Sequence, residues 1–209
     1  MSKSQLFVSL FLCLAIAAHA DTLITISENT SSINGTVGSL DFQFNPGALV
    51  TQEATVTISN FTGGSFVGSA STTSPSVTGG PLPTAVTIAN SGGFNDYFQG
   101  FQFGNALSFT LDFGGGAVNA PDGMSTSTSI FAFSTFSDAA GITPVLTSDP
   151  NGIAMTATVN LDGSVTESVF SSQVQVSPEP GSFSLSGGAL ALLGIGLAMY
   201  QRKASGLSA

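Results

Sequence analysis

Three aspartates lie in glycine-bearing turns, where their carboxylates could gather around a ligand. They are Asp122 in Pro121-Asp122-Gly123, Asp149 in Asp149-Pro150-Asn151-Gly152, and Asp162 before Gly163. Oxygen ligands gathered on turns suit calcium, a hard cation that prefers carboxylates and carbonyls. No D-x-D-x-D loop joins them, however, and aspartates in such turns ordinarily bond their own backbone. They stand as calcium candidates whose simpler role is to form the turns. Serine and threonine abound, but residues 21–177 contain no His or Lys to activate one as a nucleophile. The same stretch has no His or Cys, so zinc and copper lack their usual ligands. A carboxylate pair could hydrolyse a glycoside, but with no Trp and only Tyr97 as a tyrosine, little remains to stack a sugar. These absences argue against an enzyme; no catalytic residue and no cofactor is expected.

The segments that would position those turns read as strands. Thr22 to Ser27 opens the series. Leu40, Phe42 and Phe44 share one face with Asp41 and Gln43 opposite, and Asn45-Pro46-Gly47 ends the run. Ala54, Val56 and Ile58 alternate with threonine and serine, and Gly63-Gly64 turns the chain. Ser69 to Pro83 is rich in Ser, Thr, Gly and Pro and reads as a long surface loop. Val86 and Ile88 mark the next strand, followed by Tyr97, Phe101 and Phe103, then Leu107, Phe109, Leu111 and Phe113. Ile130 to Phe136, an inward face of Ile153, Met155, Ala157 and Val159, and a last strand through Val176 complete the body. The aromatics from Tyr97 to Phe103 could face a carbohydrate, but their spacing and the apolar strand that follows read as core. No stretch carries helical periodicity. The economical fold is all-β: an antiparallel, jelly-roll-like β-sandwich of nine to eleven strands.

Charge and the two ends of the chain speak to location. The chain's three basic residues are Lys3, Arg202 and Lys203, so residues 21–177, with eleven of the 12 acids, carry a formal charge of −11. Such a body makes no salt bridge of its own and is a poor partner for nucleic acid or anionic lipid. Lys3, the apolar stretch Leu6–Ala18 and the Ala18-His19-Ala20 cleavage site form a Sec-type signal peptide over residues 1–20. At the other end, Phe183 to Tyr200 is an uncharged run of 18 residues. As a helix it would reach about 27 Å, enough for a thin bilayer core. Arg202 and Lys203 follow as a stop that stays cytoplasmic, and 204–209 forms a short tail.

Pro178-Glu179-Pro180, a spacer, an apolar run and a basic end resemble the PEP-CTERM sorting signal of biofilm-forming bacteria. The resemblance covers residues 178–203, with Pro178, Glu179 and Pro180 on the signature and Arg202 and Lys203 on the basic stop. Two departures are visible: the basic cluster has only two members, and residues 204–209 trail beyond it. The resemblance implies recognition by the membrane protease exosortase, cleavage near the motif, and delivery of the body to the cell surface or extracellular matrix. Leu40–Gly47, Asn60–Gly64 and Phe94–Phe101 are similar in wording to a body type that recurs among PEP-CTERM proteins and has no assigned activity. The expectation is an exported structural or biofilm-associated protein, with Sec machinery, exosortase and membrane as partners during export. The rival is a module that retains exopolysaccharide on a concave sheet face.

Overall fold

The computed structural model describes residues 22–178, which form two antiparallel β-sheets of six strands each. In chain order the strands are β1 (Thr22–Asn29), β2 (Val37–Pro46), β3 (Thr55–Thr62), β4 (Ser65–Thr72), β5 (Val77–Gly79) and β6 (Val86–Ala89). They continue with β7 (Asp96–Gln102), β8 (Ala106–Gly114), β9 (Ser129–Phe136), β10 (Ile153–Val159), β11 (Val165–Val169) and β12 (Val174–Pro178). A single helical turn, α1 (Gly116–Asn119), lies between β8 and β9. The first sheet has the order β12-β1-β8-β3-β6-β5 and the second β11-β10-β9-β2-β7-β4. The pairing is nested: β1 with β8, β2 with β7, and β3 with β6.

Alternation explains which side chains meet. Ile24 and Ile26 of β1, Val56 and Ile58 of β3, and Leu107, Phe109, Leu111 and Phe113 of β8 are buried from the first sheet. Leu40, Phe42, Phe44, Tyr97, Phe101, Phe131 and Phe133 are buried from the second. The two layers lock through aromatic rings. Phe109 of the first sheet lies edge-on to Phe42 at 5.4 Å and to Phe133 at 5.0 Å between centroids, and it stacks on Phe61 at 5.7 Å. Truncating a buried phenylalanine to alanine typically costs about 3–5 kcal/mol, and this cluster has no disulfide or ion pair to share the load. Tyr97, Phe101 and Phe103 are thus interior, whereas Phe98 lies on the opposite face of the strand. The Tyr97 hydroxyl accepts from the Leu82 N–H at 2.9 Å and donates to the Gln99 side chain, which satisfies its one polar atom.

Four details differ from the sequence reading. The described residues hold twelve strands. The stretch Ser69–Pro83 is no continuous loop, because β4 runs to Thr72 and β5 occupies Val77–Gly79. The last segment is two strands, β11 and β12, on different sheets. Ile153 is only partly buried, because a register shift between Ile153 and Met155 breaks the alternation and turns Ala154 inward. The expected signal peptide with Ala18 and Ala20, and the apolar run with Glu179, Pro180, Arg202 and Lys203, lie outside the described residues. Among the described residues no helix is long and apolar enough to cross a membrane.

The registers also define two poles. Thr22 pairs with Phe113, Thr55 with Gly114 and Ala89, and Pro46 with Ser129. One pole therefore collects the start of β1, the end of β12 and the connections 47–54, 90–95, 115–128 and 160–164. The opposite pole collects 30–36, 63–64, 103–105, 137–152 and 170–173.

Candidate functional site

The Pro178-Glu179-Pro180 stretch, expected from the sequence to be a sorting signal, begins at the end of the last described strand. Pro178 is the last residue of β12, opposite Ile24 of β1. β12 is an edge strand, one of the few places a sheet accepts proline. Glu179 and Pro180 follow directly outside the described residues.

The three turn aspartates are each engaged locally. Asp122 Oδ1 accepts from the N–H groups of Met124 at 2.8 Å and Ser125 at 2.9 Å. These backbone donors hold its carboxyl below the usual carboxylate range. Asp149 Oδ1 accepts from the Asn151 N–H at 2.8 Å, and Asp162 Oδ1 from the Ser164 N–H at 3.0 Å and hydroxyl at 2.6 Å. The Asp162-Gly163 turn packs close to the 115–123 segment: a Cβ on Gly163, whose φ is +83°, would meet Pro121 Cγ at 2.8 Å. Asp122 and Asp162 thus occupy one pole, whereas Asp149 lies in the 137–152 connection at the other. Among the described residues no group of three His, Cys, Asp or Glu side chains is placed to share an ion.

A more organised polar array lies on the outer face of the second sheet. Period two puts Asp41, Gln43 and Asn45 of β2 on that face, and side-chain hydrogen bonds link them into a ladder. Asn45 Nδ2 donates to Gln43 Oε1 at 3.3 Å, and Gln43 Nε2 donates to Asp41 Oδ2 at 2.6 Å. Asn45 Oδ1 in turn accepts from the Asn95 N–H at 2.6 Å, fixing the far end. Register places Phe98 of β7 directly opposite Asp41 and Asp96 opposite Gln43. Phe98 is half-buried, and Gly141 of the 137–152 connection packs against its ring, where a Cβ would come within 2.8 Å. Asp41 Oδ1 is enclosed and has no hydrogen-bond partner. Burial pushes the Asp41 carboxyl up to about 6; the Gln43 bond opposes this and the charge of Asp96 adds to it.

Sequence reasoning put Asp41 and Gln43 on the outward face but did not connect them to Phe98 or Asp96. That link depends on the pairing of β2 with β7, more than fifty residues apart. A second acid escaped notice altogether. Glu28 continues the Ile24, Ile26 alternation of β1, is fully buried, and has no partner on either oxygen. Burial raises its carboxyl to about 8. Extending the period-two pattern by one step would have flagged it.

Comparison of the chain with family models, with curated proteins and with solved structures returned no match.

Proposed function

We propose that residues 22–178 are the non-catalytic body of an exported protein, sorted by a PEP-CTERM-type signal to the cell surface or extracellular matrix. The position of Pro178 carries the reading. A membrane protease needs an extended, accessible segment, and Pro-Glu-Pro starts as the β12 ladder runs out at an edge strand. Cleavage just beyond it would release a body whose sheets are already complete. The nested pairing of β1–β8, β2–β7 and β3–β6 favours a jelly-roll-like body, although β5 pairs with β6 rather than β4. A body without Lys, Arg, His or Cys between residues 21 and 177 offers hydrogen-bonding surface and negative charge, which suits a matrix component. Intact-mass analysis of the protein from its native host tests this. The expected mass corresponds to a chain starting at Asp21 and ending near Glu179; a mass retaining residues 183–200 in the final form refutes exosortase processing.

The ladder on the second sheet favours a second reading, a glycan-binding face. Planar carboxylate and amide groups beside a half-buried ring match the hydroxyls and the C–H face of a sugar. The negative charge of Asp41 and Asp96 favours neutral over uronic-acid glycans. A glycan array with wild type and Gln43→Ala decides it: binding lost in the variant supports this face, and silence of the wild type leaves the structural reading.

A further inference from the structure

The pole from which Pro178 leaves the fold also gathers several exposed apolar loop residues on adjoining connections. Leu49 and Val50 in the 47–54 connection are 67% and 68% exposed, and Met124 in the 115–128 connection is 78% exposed. The two connections are joined: the Thr126 and Ser127 N–H groups donate to the Val50 carbonyl at 2.9 and 3.1 Å. Leu161 of the 160–164 turn is half-exposed and borders the same small cleft as Ser125 and Gln52. Phe94, in the 90–95 connection of this pole, is 51% exposed. The loops of the opposite pole offer Ile142 and Phe170 on separate connections.

Loop tips that present Leu, Val and Met to water on joined connections leave apolar area uncovered, and such area ordinarily marks a contact surface. The chain itself limits what can cover it. From Pro178 to Phe183, where the uncharged run begins, there are only five residue steps. Even fully extended these reach about 18 Å. Resting on the anchored-precursor reading above, we infer that this pole sits on the membrane surface before processing, with Leu49, Val50 and Met124 entering the interface. The surface it fits is uncharged overall. Glu53, Asp122 and Asp162 lie on the same pole and residues 22–178 contain no cation, so anionic headgroups would repel it. The insertion of apolar tips would fix the orientation of the body and hold the stretch after β12 at a constant height above the bilayer. That height is where a membrane-embedded protease would have to meet Pro-Glu-Pro.

The test uses the full chain in phosphatidylcholine vesicles, with Cys13→Ser removing the single native cysteine. Fluorophores are placed one at a time through Leu49→Cys, Met124→Cys, Ile142→Cys and Leu192→Cys, and lipids brominated at the upper acyl chain serve as quenchers. All three body positions are highly exposed, so labelling leaves the core untouched. The expected result is loss of most emission at Leu49 and Met124, none at Ile142, and a smaller loss at the first two when phosphatidylglycerol is added. Quenching at Leu192 without quenching at Leu49 or Met124 overturns this inference and leaves the anchor standing. No quenching at Leu192 overturns the anchor and the inference with it. An unquenched Met124 label whose emission shifts with protein density assigns the pole to a second copy of the chain, which also overturns it.

Discussion

Two carboxylates near the same pole, one on the 137–152 connection and one at the end of β1, meet opposite treatment. Asp138 accepts from the N–H groups of Ala140 at 2.9 Å, Ile142 at 3.2 Å and Thr143 at 2.6 Å. Desolvation alone would push its carboxyl up, but these backbone donors together hold it below the ordinary range. Glu28 points into the sandwich, with Leu107 and Val174 at the paired positions of β8 and β12, and neither oxygen finds a donor. Its carboxyl rises to about 8. In most proteins a lysine or arginine would complicate such a contrast. Here residues 22–178 contain none, so hydrogen-bond donors and burial set the states of these two acids.

The largest expected effect comes from Glu28. An acid whose folded value lies above its unfolded one favours the fold while protonated. Its contribution is complete below about 4.5, falls as pH rises, and is gone above about 8. At about 1.36 kcal/mol per unit, the loss across that window has an upper bound of about 5 kcal/mol. Denaturant midpoints measured from acid to alkaline pH should fall steadily through it, and Glu28→Gln should flatten the slope. A wild-type midpoint unchanged across the window would mean Glu28 finds water or a partner on ionising.

Asp41 stands between these extremes: enclosed, yet bonded by Gln43. Its folded value of about 6 places its share of the same decline between roughly pH 4 and 6. Asp41→Asn keeps the shape and the Gln43 bond while removing the charge that faces Asp96. At neutral pH the variant should be more stable by about 1–2 kcal/mol, less than the Glu28 effect. A destabilised Asp41→Asn would show that the ionised carboxylate is wanted, which would strengthen the case for a ligand at the ladder.

Period two made much of the architecture legible because one face of each central strand is buried; Leu40, Phe42 and Phe44, or Phe109, Leu111 and Phe113, announce themselves. It failed at β4, where Ser65–Thr72 is exposed on both faces over most of its length, so no alternation marks the edge strand. The short β5 sits amid Ser, Thr and Gly for the same reason. Turn chemistry was legible at Asp122, Asp149 and Asp162, since the carboxylate and its backbone partners lie within three residues of one another. The ladder was half legible: faces follow from one strand, but the neighbour across the sheet follows from β2 meeting β7. Glu28 was obscured because a charged type at the end of a strand reads as exposed until the pattern is extended through it.

The smallest effect is the acid limb of the comparison, at Asp138. Because its folded value lies below 3.8, its stabilisation is present above the unfolded value and lost as pH falls through the folded one. Asp138→Ala should therefore lower the midpoint modestly at neutral pH and approach wild type in strong acid, where the native carboxyl is itself protonated. Amide exchange at Ile142 and Thr143 should quicken in the variant at neutral pH, since their acceptor is gone. Ser39 Oγ donates to the Asp138 carbonyl at 2.8 Å, a bond the substitution leaves intact, so the connection should loosen without leaving the sheet. A midpoint deficit that stays undiminished in acid would show that the protonated carboxyl accepts these N–H groups as well as the charged one does.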